Sequence, residues 1–189
     1  GRYEVMGETR DDAAGESFDK IAKFLGLGFP GGPIIDRLSD SGERRSFAFP
    51  RPMIRDESLD FSFSGLKTAV TNTLKQYRAR GQHFSDADVA ASFQEAIVEV
   101  LVRKSVIAAQ RKGVSTIAVT GGVAANTRLR HLIREIAEPE GFRVVIPPNA
   151  LCTDNGAMVG AAGFYKLQRG ETSGLDLAPR ASAPLGGVL

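Results

Sequence analysis

The chain reads as an α/β fold in which a predominantly helical first half precedes an alternating strand-and-helix second half. Three features predict it. Beyond Val114, short runs rich in Val, Ile and Thr alternate with amphipathic stretches: strand Ser115 to Thr120, helix Ala124 to Ala137, strand Phe142 to Ile146, helix Thr153 to Gln168. Before Gly113 the apolar residues recur at helical spacing instead. Gly113 itself closes the longest helix, which sets a division into residues 1–113, mainly helical, and 114–189, an α/β lobe. A second half of this kind forms a sheet covered by helices, with ligands at the carboxyl ends of its strands.

In chain order, Arg2 to Met6 alternates like a short strand without a local hairpin partner, as expected of a strand whose neighbours are encoded upstream. Thr9 and Asp12 form a capping-box pattern ahead of a helix carrying Phe18, Ile21, Ala22 and Leu25, with Gly26 as its stop. Phe29-Pro30-Gly31-Gly32-Pro33 forces a turn. A short helix follows with Ile34, Ile35, Asp36 and Leu38, and then an Arg-containing loop from Ser39 to Glu57 anchored by Phe47, Phe49 and Pro50. One amphipathic helix is predicted from Leu66 to Tyr77, and the longest from a Ser85 cap to Gly113. There is no internal repeat.

At 189 residues and 42% apolar content, the chain supports one packed domain or two small lobes sharing an interface. Its 24 basic and 22 acidic side chains balance too closely for a strong field over the whole surface. The single cysteine, Cys152, excludes an intramolecular disulfide and suits a reducing compartment. No apolar run approaches the roughly 18 to 20 residues that span a bilayer, and no signal pattern opens the chain. A soluble, cytoplasmic protein is therefore expected.

Two junctions carry chemistry. Gly121 and Gly122 join a strand to a helix start, where amides unhindered by Cβ and a partial positive charge favour a phosphate; Asn126 in the first turn can then bond a sugar. Tight helix-on-strand packing uses the same glycines. At Cys152-Thr153-Asp154-Asn155, Thr153 reads as a helix cap and Asp154 as an anion in the first turn, either electrostatic only or a ligand for a hard or borderline cation. Asp19 and Asp36 flank the Gly31-Gly32 turn, as solvated carboxylates or as acceptors for ribose hydroxyls. Cys152 reads as a small buried residue. His83 and His131 form no zinc motif, and Lys67 lacks P-loop spacing.

Five ordered motifs resemble the TsaD family of threonylcarbamoyl transferases, once called glycoproteases. They are Asp11-Asp12-Ala13-Ala14-Gly15-Glu16 with Phe18-Asp19-Lys20, Pro30-Gly31-Gly32-Pro33, Asp60-Phe61-Ser62-Phe63-Ser64-Gly65-Leu66-Lys67-Thr68, Gly121-Gly122-Val123-Ala124-Ala125-Asn126 and Cys152-Thr153-Asp154-Asn155. The resemblance covers the C-terminal part of such a protein, without the His-x-x-x-His metal pair of its N-terminal lobe. It implies half of an actin-like, sugar-kinase-like ATPase fold, a ribonuclease-H-like lobe with a helical insertion. It places Asp19, Gly32, Asp36 and Asn126 on nucleotide-binding positions, Gly121 and Gly122 on a second phosphate loop, and Asp154 on a metal ligand. Ala183-Pro184-Leu185 departs from the family, which carries a Trp before its Pro-Leu pair.

The implied reaction moves a threonylcarbamoyl group from its adenylate, made by a separate synthase, to N6 of the adenosine beside the anticodon in tRNAs that read codons beginning with A. One divalent metal, Fe or Zn, and TsaB-like and TsaE-like partners come with that reading, and the 189 residues alone are expected to lack turnover. No residue is assigned as general base. Three alternatives stand beside it: a noncatalytic TsaB-like module, a metallopeptidase, and a sugar or acetate kinase. The basic residues Arg78, Arg80, Arg103, Lys104, Arg111, Lys112, Arg128, Arg130 and Arg134 read mostly as solvated, with phosphate contacts for some.

Overall fold

The computed structural model describes residues 3–179. Its longest element, α4 (Asp86–Lys112), follows directly from local sequence. Ser85 caps it by accepting from the Asp88 amide, Asp86 and Asp88 occupy the first turn, Arg111 and Lys112 the last, and Gly113 ends it at φ 62°. Buried residues lie all round this helix, so it is enclosed rather than laid on a surface.

Two apolar clusters form along α4. Phe93 and Ile97 pack with Phe18 and Ile21 of α1 (Ala14–Phe24), Ile35 of α2 (Gly31–Ser39), and Leu66 and Leu74 of α3 (Ser64–Ala79). Phe18 meets Phe93 edge to face at 5.5 Å. Further along, Val98, Val102 and Val106 pack with Ile117 of β1 (Thr116–Ala118) and with Leu129 and Ile133 of α5 (Thr127–Ala137). β1 pairs in parallel with β2 (Arg143–Val145), Ile117 opposite Val144. Among the described residues the sheet has two strands, and α4 and α5 contact it; Thr116, Ala118, Arg143 and Val145 are exposed.

Several sequence expectations are corrected. Tyr3 to Met6 is not a strand; the nearest pairing is an isolated parallel bridge between Thr9 and Phe61. Thr9 and Asp12 do not box α1, because the Thr9 hydroxyl donates to the Asp12 carbonyl and Ala13 occupies the cap. The Gly31-Gly32 turn is the first turn of α2 itself. In the loop after α2, Phe47 and Phe49 are buried and stacked, while Pro50 is exposed. The last helix, α6 (Gly156–Gln168), begins three residues later than predicted, buries no residue, and leaves Met158, Val159, Phe164, Tyr165 and Leu167 exposed. Among the described residues no helix is long and apolar enough to cross a membrane. Ala183-Pro184-Leu185 lies outside the described residues.

Candidate functional site

Because β1 and β2 are parallel, both motif loops leave the sheet at the same edge. Val119 still donates to the Val145 carbonyl at 2.9 Å before the chains part, one into Gly121-Gly122, the other into Pro147 and on to Asp154. Gly121 adopts φ 88°, a region closed to most side chains. Instead of the predicted helix from Ala124, a 3₁₀ turn (Gly122–Ala125) follows, and the helix proper starts at Thr127. The full helix dipole therefore does not point from the glycine pair. What the pair offers is an exposed bend, with open space where a Cβ on either glycine would stand.

Asn126 is the cap of α5 rather than a residue of its first turn. Its Oδ1 accepts from the Leu129 amide at 2.8 Å, and its Nδ2 donates to Gln94 Oε1 at 2.6 Å. Asp36 reaches the same helix end, accepting from the Thr127 amide at 3.0 Å and from the Thr127 hydroxyl at 2.9 Å. One turn earlier on α2, Gly32 shares the face of Asp36 and has nothing within 4 Å of a Cβ position. Gly31 is different: a Cβ there would meet the Asp19 backbone at 2.6 Å, so this glycine permits the close crossing of α1 and α2. Asp19 then accepts from the Gly31 amide at 2.6 Å and caps α2 from α1.

Arg130 ties the second loop to the first. Its Nε donates to the Ala124 carbonyl and its Nη2 to the Pro147 carbonyl, both at 2.7 Å, and Nη2 also approaches Cys152 Sγ at 3.1 Å. Cys152 is buried, as expected. Asp154 sits in the loop beyond it, not in a helical turn, because Asn155 rather than Thr153 caps α6 by accepting from Met158. Asp154 is exposed, and no hydrogen bond engages its carboxylate among the described residues. Nor do the described residues gather three or more His, Cys, Asp or Glu side chains that hold a metal. By itself Asp154 offers a single carboxylate, fewer oxygen ligands than a metal site needs.

Four side chains have roles that sequence reading does not reveal. By sequence Arg130, Arg128 and Lys104 group with solvated cations. Instead Arg130 is the staple just described, and Arg128 forks onto Glu95 at 2.6 and 2.7 Å; those hydrogen bonds outweigh burial and raise its already high pKa. Lys104 is likewise buried, donating to the Ser58 and Asp60 carbonyls, and burial pushes its pKa down. Gln94 carries no sequence signal, since its partners Ser39 and Asn126 are distant in sequence. With Ser39 and Thr127, Gln94 also walls a cleft of about 430 Å³. His83 and His131 are both exposed.

The architecture is that of an α/β lobe with a small parallel sheet and loops converging at its carboxyl edge. Its path matches part of the crystal structure of HypF from T. kodakarensis with a TM-score of 0.60 at 24% identity, covering 84% of this chain and 20% of that one, a likeness of fold alone. The model of the TsaD family, tRNA N6-adenosine threonylcarbamoyltransferase, matches residues 1–161, and the chain belongs to that family. Relatives bearing that name include proteins of Clostridium botulinum strain 657 (50% identical, 94% of this chain, 52% of the relative) and Desulfitobacterium hafniense strain Y51 (54%, 88% and 49%). A third is from Synechococcus sp. strain JA-3-3Ab (54%, 94% and 48%). The chain spans about half the length of the curated relatives it matches.

Proposed function

We propose that this chain is the nucleotide-facing part of a longer enzyme that transfers a threonylcarbamoyl group from its adenylate to N6 of an adenosine in tRNA. The observation that carries the reading is convergence. Motifs scattered from Asp19 to Cys152 are linked through α2, the start of α5 and the Arg130 staple. Asp36 and Asn126 stand at one helix start, Gly32 opens on the face of Asp36, and the Gly121-Gly122 bend leads directly into Asn126. In this reading the exposed bend receives the adenylate phosphate, Asp19 and Asp36 offer acceptors to the ribose, and the fold is one lobe of an actin-like ATPase architecture.

An aryl amine is a weak nucleophile, so the work of such a site is to position it and to stabilise charge growing on the carbamoyl oxygen. A divalent metal, Fe or Zn, bound with Asp154 as one ligand would polarise that oxygen or a phosphate. The enzyme would act in the cytoplasm, with TsaB-like and TsaE-like partners and with the adenylate delivered by a separate synthase. Family membership weighs against the kinase and TsaB-like alternatives.

Gly122 supplies a clean test. A Cβ there meets nothing within 4 Å in the chain and its φ is ordinary, so Gly122→Ala should fold normally. If a phosphate rests on the bend, the added methyl impedes it. Threonylcarbamoyl-adenosine is measured in tRNA from cells whose full-length protein carries Gly122→Ala, Asn126→Ala or Asp154→Ala. All three should lower it; unchanged levels in all three would count decisively against the site.

A further inference from the structure

Gln94 is only 4% exposed; on its face of α4 it is flanked by the fully buried Ala90, Ile97 and Val98, while its amide meets Ser39 and Asn126 beside the cleft. A polar side chain in such a place costs desolvation, and a leucine would fill the same space without it. What glutamine adds is direction. The Leu129 amide donates to Asn126 Oδ1, Asn126 Nδ2 to Gln94 Oε1, Gln94 Nε2 to Ser39 Oγ, and the Ser39 hydroxyl to the Asp36 carbonyl. Every donor in this buried chain points the same way. Such a sequence is mutually reinforcing and fixes which end of each amide is oxygen and which is nitrogen.

We infer that Gln94 is a positioning residue: it locks the Asn126 amide with its second Nδ2 hydrogen given to no acceptor among the described residues, and ties that amide to the α2 turn bearing Asp36. Asn126 Oδ1 is already held by α5, so without Gln94 the amide loses the acceptor that fixes its nitrogen. Gln94 is the α4 link between two elements, α2 and α5, that otherwise meet here through Asp36 and Thr127. The inference rests on the proposed contact of Asn126 with the adenylate.

The test is a double-mutant cycle in the full-length polypeptide, with adenosine monophosphate as the probe in calorimetric titration and thermal unfolding followed in parallel. Gln94→Leu should weaken nucleotide binding about tenfold, the loss expected when one oriented amide hydrogen bond is gone. Because Gln94 acts through Asn126, the Gln94→Leu/Asn126→Ala pair should bind no more weakly than Asn126→Ala alone. Gln94→Glu, whose carboxylate still accepts from Asn126 while Ser39 turns its hydroxyl round, should restore binding to within about threefold of the parent. If Gln94→Leu does not fold, Ser39→Ala interrupts the same chain one link away and should show the same non-additivity with Asn126→Ala. Multiplying effects, or full affinity in Gln94→Leu beside a weakened Asn126→Ala, would overturn the inference while leaving the site reading intact. Full affinity in Asn126→Ala would remove the site reading and this inference together.

Discussion

Replacing Arg130 by Met keeps the length and apolar stem of the side chain but deletes the fork that joins the two loops. The native guanidinium makes two contacts of 2.7 Å to carbonyls and one of 3.1 Å to sulfur. Hydrogen bonds from a charged donor contribute about 1.5 to 3 kcal/mol each, less where water reaches them, and Arg130 is half-buried. A total of about 2 to 3 kcal/mol follows, concentrated in the segment from Pro147 to Asp154. Local opening there should become roughly 30- to 150-fold more populated. The amides of Leu151 and Cys152, bonded to the Pro148 and Asn149 carbonyls, report on it directly by hydrogen exchange. Their exchange should accelerate at least tenfold in Arg130→Met, while amides of α1 and α3 stay as they were. Arg130→Lys should fall between, since an ammonium cannot span both carbonyls as a planar fork does. Unchanged exchange at Leu151 and Cys152 would show that the loop is held without Arg130.

Other expectations follow from the same structure. Arg128→Met strands Glu95, whose side chain is 10% exposed, and should cost about 2 to 3 kcal/mol, less than for a fully enclosed pair because the cleft admits water; Arg128→Met with Glu95→Leu should recover most of it in thermal unfolding. A double variant as unstable as the single one would mean that packing of the arginine, not the charge, matters. Phe93→Ala removes a fully buried ring in edge contact with Phe18 and should cost about 3 to 5 kcal/mol by urea titration; a loss below about 1 kcal/mol would contradict its burial. Asp11 carries a pH dependence: burial pushes its carboxyl up, but bonds from the Ser62 hydroxyl and the Phe63 and Ser64 amides outweigh it and hold the pKa below 3.8. A pKa lowered on folding adds stability that is present above the unfolded value and lost as pH falls through the folded one. The stability gap between the parent and Asp11→Asn should therefore narrow as pH drops below about 4, and a constant gap down to pH 2 would refute the assignment.

What could be read from sequence depended on how far apart the partners lie. The cap and stop of α4 were legible because Ser85 reaches only three residues and Gly113 acts on its own backbone. The α5 start was misplaced because Gly121 at φ 88° forces a tight turn first, and an asparagine then takes the cap; the same competition lets Asn155 displace Thr153 at α6. Thr9 looked like a cap by spacing alone, yet its bridge to Phe61 turns it away from α1. The motif residues Asp19, Asp36 and Asn126 were visible as candidates, but not that each caps a helix. Arg130, Arg128 and Gln94 reach Pro147, Glu95 and Ser39 across 17, 33 and 55 residues, separations that periodicity cannot encode.

Because α4 runs for 27 residues, roughly 40 Å, through both apolar clusters, loss of either cluster removes packing from the helix on which the other rests. The helix acts as a ruler: Asp36 on α2 and Asn126 at the head of α5 are both referenced to it, so their spacing is insulated from fluctuations of the surrounding loops. Denaturation followed at either end should trace one sigmoid, and a lesion at Phe93 should be felt beside Ile133.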